Sequence, residues 1–197
     1  MAGAYPRDMS HSNWTEVFAR QALRAELMAD WFDAIGIKPG DRVLDVGAGP
    51  GYVSLALAEL VGRDGVVVAI DRSADALAYL AELQQARGVA QITRIAADAA
   101  TVEVPGPPAD AALVTMVLHH TDAPPAILAC LRGLLRPGAR LLIGEFHPEG
   151  PCEIGVKREH RVAPERIEAW CDEAGFEIVD YRRQTPEHYM LVVEREP

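Results

Sequence analysis

The chain has 197 residues, 49% hydrophobic and 24% charged, a balance ordinary for one globular domain that buries a sizeable core. Its formal net charge of −10 argues against a nucleic-acid partner, because a phosphate backbone is bound by clustered Lys and Arg. The small arginine groups, Arg132 with Arg136 and Arg182 with Arg183, lie among acidic or apolar residues and read as solvated surface.

Residues 1–12 are polar and irregular. Ser12 is a candidate N-cap for a helix that carries Val17, Phe18, Leu23, Leu27, Met28 and Trp31 at helical spacing to about Ala34. Gly36 and Pro39-Gly40 end that unit. Strands and helices then alternate. A strand over 42–47 precedes a helix over 51–61. A strand over 66–71 precedes a helix over 74–87, opened by Ser73 and closed near Gly88. A strand over 91–97 ends at Asp98, and the Pro- and Gly-rich segment 99–109 holds at most a turn of helix. A strand over 111–118 ends at His119-His120. Thr121-Asp122-Ala123-Pro124 opens a helix to about Leu135, and Pro137-Gly138 turns the chain into a strand over 140–146. After a long loop, Ala163-Pro164-Glu165 opens a helix that ends at Gly175. Phe176–Arg183 and Tyr189–Glu194 are strand-like, and their short connection forces an antiparallel pair.

Cys130, Cys152 and Cys171 are odd in number and far apart, with no CxxC, which suggests reduced thiols. There is no basic segment followed by an apolar run at the start, and no apolar stretch long enough to span a bilayer. These features lead to the expectation of a cytoplasmic protein with no membrane partner. A homodimer is left open.

The stretch Arg42-Val43-Leu44-Asp45-Val46-Gly47-Ala48-Gly49-Pro50-Gly51-Tyr52 carries most of the chemistry. A strand runs into a glycine-dense turn and a helix, so backbone amides approach a ligand closely. Twenty residues on, Asp71 closes the next strand, where a carboxylate can accept from both hydroxyls of a ribose. The pair implies a nucleoside cofactor. In the dinucleotide pattern G-x-G-x-x-G/A, counted from Gly47, the third small residue would be at Tyr52, which argues against a nicotinamide cofactor.

Leu44-Asp45-Val46-Gly47-Ala48-Gly49-Pro50-Gly51 resembles the first motif of class I methyltransferases, which use S-adenosylmethionine (SAM). Asp71 resembles the ribose-binding acidic residue of that family. Ala97-Asp98-Ala99 resembles its third-strand motif, whose Asp faces adenine. Val117-Leu118-His119-His120 with Asp122 is similar to the fourth-strand motif of the methyltransferase 11 and menaquinone/ubiquinone C-methyltransferase-like branch. Leu134-Leu135-Arg136-Pro137-Gly138 resembles the turn before strand five. The resemblance implies an α/β, Rossmann-like three-layer sandwich. Its seven-stranded, mostly parallel sheet has the order 3-2-1-4-5-7-6, with strand 7 antiparallel. It implies SAM as cofactor, held by Asp45, Gly47, Ala48, Gly49, Asp71, Arg72, Asp98, Ala99 and Met116. Asp45 has the alternative of bracing the loop, Asp98 of a turn residue and Arg72 of a solvated side chain.

Methyl transfer is an in-line displacement, and a base is needed only when the acceptor must lose a proton. His119, His120, Glu145 and His147 lie where strands four and five end; His160, His188 and Tyr189 could reach the same mouth. His147, directly after strand five, is the leading catalytic candidate and His119 the second. The alternatives are a loop histidine bonded to backbone and a histidine that packs beside Trp14. No HxH or HxxxH spacing suggests a metal. The site after strand four lacks an Asn/Asp-Pro-Pro-aromatic motif and a cysteine, so a small-molecule methyl acceptor is expected. Residues 1–35, with Tyr5, Asn13 and Trp14, form either a helical lid or a helix on the sheet edge; residues 36–197 form the SAM-binding domain. A non-catalytic SAM-binding sensor or subunit and a nicotinamide-dependent reductase remain as other readings.

Overall fold

The computed structural model describes residues 12–196, and Tyr5 lies outside them. Seven strands form one sheet: β1 (Arg42–Val46), β2 (Val66–Asp71), β3 (Ile92–Ala96), β4 (Ala109–Thr115), β5 (Leu135–Phe146), β6 (Phe176–Arg183) and β7 (His188–Arg195). Their order is β3-β2-β1-β4-β5-β7-β6. The first five strands run parallel, and β7 lies antiparallel between β5 and β6. This is the expected sheet.

The helices are α1 (Trp14–Ala22), α2 (Ala25–Ile35), α3 (Tyr52–Val61), α4 (Ala74–Arg87), α5 (Pro124–Leu134) and α6 (Pro164–Glu173). Two apolar cores follow from the two-residue period of a strand. Val43, Val67, Ala69, Leu113 and Leu142 face one side with α2, α3 and α4. Leu44, Val46, Val68, Val114 and Ile143 face the other with α5 and α6. Strands buried on both faces read as continuous apolar runs. The chain leaves β1 toward β2 and β3, then returns to β4 on the other side. Right-handed crossovers therefore put α3 and α5 on opposite faces and open a crevice at the strand ends.

Several boundaries differ from the sequence reading. The N-terminal unit is two helices, broken at Leu23-Arg24. Asn13, rather than Ser12, caps α1: its Oδ1 accepts from the N–H of Thr15 at 3.2 Å, and its Nδ2 donates to Glu16 at 3.0 Å. β4 stops at Thr115, because Met116 has a φ of 58° and turns the chain into a short 3₁₀ helix over Leu118–His120. β5 begins at Leu135. Pairing passes from Ala109–Leu135 to Ala111–Arg140, so the Pro137-Gly138 turn survives as a bulge within the strand.

Gly51 precedes α3 with a φ of 86°, and a Cβ there would lie 2.3 Å from Leu80 Cδ1. Leu80 is fully buried and cannot retreat. Gly51→Ala should therefore cost about 1–3 kcal/mol, read as a lower urea midpoint. A midpoint within error of wild type would contradict the packing of α3 on α4.

Candidate functional site

A cleft of about 910 Å³ opens at the ends of β1, β2 and β4. Its size sits near the upper end of the roughly 300–1,000 Å³ common for small-molecule sites. One wall is the glycine turn. Gly47 and Gly49 have φ of 70° and 56° and line the cleft. A Cβ on Gly47 would meet Val117 Cγ2 at 2.2 Å, so this turn also fits closely against the chain after β4.

Asp71 ends β2 and faces the cleft. Its Oδ2 accepts from Gly49 N–H at 2.7 Å and its Oδ1 from Ser73 N–H at 2.8 Å. Ser73 in turn caps α4 through Ala76 N–H. Burial raises the Asp71 carboxyl pKa, opposed by those two amides and by Arg72. Each carboxylate oxygen has two acceptor sites, so both oxygens retain room for a hydroxyl. Arg72, Asp98, Ala99 and Met116 line the same cleft. Asp98 also holds its own turn, accepting from Ala100 N–H at 2.8 Å. A backbone turn plus an oriented carboxylate matches what a ribose and its attached chain require, and the donor set fits a nucleoside such as SAM.

Asp45 and Ala48 occupy a deeper layer. Asp45 is 1% exposed and accepts from Ser54 Oγ at 2.5 Å, bracing the turn from below. Ala48 is buried, and its carbonyl accepts from Gln21 Nε2 at 3.2 Å. Gln21 Oε1 accepts from Tyr52 N–H at 3.1 Å. One α1 side chain thus fastens both the glycine turn and the start of α3, a role that the sequence did not signal. Phe18 packs edge-on against Tyr52, with centroids 5.1 Å apart.

The opposite wall holds His119, with Glu145 beneath it. His119 Nδ1 lies 2.6 Å from Glu145 Oε2, and Glu145 is fully buried. Burial pushes the Glu145 carboxyl up, but the charge and hydrogen bond of His119 outweigh it, aided by the amides of His119 and Phe146. The net effect holds Glu145 below the usual carboxylate range. A carboxylate only accepts, so Nδ1 carries the proton and donates it. This orients the ring with Nε2 as its basic atom.

His147 lies elsewhere. It does not line the cleft with His119; its Nδ1 accepts from Glu149 N–H at 3.2 Å and its ring meets Tyr189 edge-on. Burial and Arg183 lower its pKa. Having been the leading catalytic candidate, it is now read as the loop histidine bonded to backbone. The reason is Arg161, whose buried guanidinium donates to the carbonyls of His147, Val156 and Ile154 and to Glu187 at 2.5 Å. That network folds the loop after β5 back on itself and takes His147 with it. Tyr189 is also withdrawn, donating to Val162 O at 2.7 Å.

Residues 37–194 match the family of methyltransferase domains. The chain belongs to the class I, SAM-dependent methyltransferases. It is 36% identical over 133 residues to the 2-phytyl-1,4-naphtoquinone methyltransferase of Synechococcus elongatus, covering 66% of this chain and 55% of that protein. It is 30% identical over 145 residues to the ubiquinone/menaquinone biosynthesis C-methyltransferase UbiE of Cellvibrio japonicus, covering 66% of this chain and 58% of that one. The methyltransferase here therefore spans little more than half the length of these relatives. The solved structure of a SAM-dependent methyltransferase from Aquifex aeolicus superimposes with a TM-score of 0.81 at 22% identity, covering 87% of this chain and 92% of that chain. Among the described residues of this methyltransferase no helix is long and apolar enough to cross a membrane, and no three His, Cys, Asp or Glu side chains converge on a metal site.

Burial pushes the Asp45 carboxyl up to about 6; Ser54 opposes this and Asp71 adds to it. A pKa raised on folding gives a stabilising contribution that is full below the unfolded value of 3.8 and is lost as pH rises through about 6. Relative to Asp45→Asn, the wild type should lose up to about 3 kcal/mol between about pH 4 and pH 7. Urea unfolding of both proteins across that range is the measurement, and a constant difference would contradict the raised pKa of this buried carboxyl.

Proposed function

We propose that this chain transfers the methyl group of SAM to a small-molecule acceptor, with His119 as the base. The observation that carries this reading is the cleft itself: Asp71 and the glycine turn form one wall, and the His119–Glu145 pair lies at the other. When bound, SAM supplies a methyl group on a positively charged sulfur. Gly47, Gly49, Asp71, Asp98 and Ala99 would hold it. His119 Nε2 would take the proton that the acceptor loses on methylation. Glu145 keeps the Nδ1 proton in place and stabilises the imidazolium that results, so it is a positioning residue. The naming of two relatives as quinone methyltransferases supports an acceptor with an ionisable ring hydroxyl or an activated ring carbon. A sensor that binds SAM without turnover has no need of a base ordered by a buried carboxylate, which favours the enzyme.

We also propose that α1 is the lid over the cofactor. Trp14, Val17, Arg20 and Gln21 line the cleft, and α1 has no buried residue to anchor it to the sheet. It is attached through the Gln21 clamp and through Phe18, which packs on Tyr52, Tyr79 and Arg87.

The first test is binding of S-adenosylhomocysteine by calorimetry, together with methyl transfer from labelled SAM across phenolic and enolic acceptors. Asp71→Ala should weaken S-adenosylhomocysteine binding by about tenfold or more. His119→Ala should lower kcat by about 10²–10⁴-fold while cofactor affinity holds. Glu145→Gln should also lower kcat while KM and S-adenosylhomocysteine affinity stay near wild type, because the ring loses the charge that stabilises its protonated form. A structural role alone moves all three together. For the lid, S-adenosylhomocysteine should slow proteolysis within residues 1–20; unchanged cleavage would count against it.

A further inference from the structure

The cleft has two unlike halves. Beside β1 and β2 it presents the glycine turn and carboxylates; away from them it is walled by Trp31, Phe146 and Val156, with Arg20 and Arg24 projecting from the α1–α2 junction. Trp31 is 1% exposed, and its only polar atom, Nε1, already donates to Gln184 Oε1 at 2.7 Å. The surface it offers the cleft is therefore carbon. Phe146 is 3% exposed and lies near two guanidinium groups, with Arg161 Cζ 5.3 Å and Arg24 Cζ 5.8 Å from its ring centroid.

These two arginines differ in what their N–H groups do. Four of the five Arg161 donors go to Glu187 and three backbone carbonyls. Arg24 sits at the N-cap of α2, yet its side chain makes no hydrogen bond or ion pair with any described residue. The closest anion acting on it is Glu145, whose oxygens are taken by His119 and the Phe146 amide. Burial lowers the Arg24 pKa; Glu145 opposes this and Arg20 adds to it. A guanidinium carries five donors in one plane, and half-buried Arg24 presents its own to the cleft. Two coplanar anionic oxygens match that fork, and the small parts of Trp31 and Phe146 that border the cleft leave this end apolar.

We propose that the methyl acceptor is an aromatic carboxylate, bound through its carboxylate by Arg24 at the apolar end of the cleft that Phe146, Trp31 and Val156 border. Arg20 adds positive potential at the same end of the cleft. The assignment rests on the methyl-transfer reading above and narrows its acceptor class.

The test uses the full chain saturated with S-adenosylhomocysteine. Binding of 2-naphthoate and 2-hydroxybenzoate is compared with that of their neutral amides by calorimetry and by quenching of tryptophan fluorescence. The acids should bind about tenfold or more tightly than the amides. Arg24→Met should abolish that preference, and Arg24→Lys, which keeps the charge but loses the fork, should retain only part of it. S-adenosylhomocysteine affinity, measured first on each variant, should change by less than about twofold, which also reports an intact fold. Equal affinity for acid and amide in the wild type, including no binding of either, would overturn the acceptor assignment alone. An acid preference that persists in Arg24→Met would overturn the role of Arg24. A wild type that fails to bind S-adenosylhomocysteine would overturn the cofactor reading, and this inference with it.

Discussion

The N–H of Gly49 donates to Asp71 Oδ2 at 2.7 Å, tying the turn after β1 to the last residue of β2. With Ser73 N–H on the other oxygen, the carboxylate is held by two amides and has little freedom to rotate. Charge-assisted bonds of this kind are short and directional. They require Gly49 at positive φ, with its amide turned toward the neighbouring strand. The parallel register of β1 on β2 brings the two ends level, pairing Val46 with Ile70. Below the turn, Ser54 and the buried Asp45 brace it; above it, Gln21 clamps the Ala48 carbonyl and the Tyr52 amide. The glycine turn is thus held from three directions.

The opposite wall depends on how β4 and β5 end. Met116 leaves the strand at positive φ, and the 3₁₀ turn that follows brings His119 over Glu145. A buried carboxylate is tolerable there because a ring N–H and two amides share its charge. The loop after β5 then closes on Arg161, whose donors satisfy carbonyls that would otherwise be buried unpaired. One wall is therefore acidic and built of backbone, whereas the far end is aromatic and basic. A cleft with such a division suits two different ligands side by side.

Local rules made much of this legible in the sequence. The limits of β2 and α4 were readable because Ser73 and Gly88 punctuate α4, and the apolar runs of β1, β2 and β4 because strands buried on both faces need them. The antiparallel β6–β7 pair followed from a connection too short for a crossover. The break at Leu23-Arg24 was not readable, since its apolar spacing continues across it. The choice between His119 and His147 was equally hidden. Both follow strand ends, and only the positions of Glu145, Glu149 and Arg161 separate an oriented base from a loop ligand of the backbone.

Gln21 and Arg24 lie 27 and 121 residues from the groups they approach, Ala48 and Glu145, so no local spacing could announce them. Residue order by itself determined the fold class, the glycine turn and Asp71. These depend on backbone conformation and short-range hydrogen bonds, which each residue type dictates where it stands. Tertiary structure alone decided which histidine meets a carboxylate and which arginine keeps its donors for the cleft. Those outcomes depend on side chains from distant elements competing for the same donors and acceptors, and only the packed chain settles that competition.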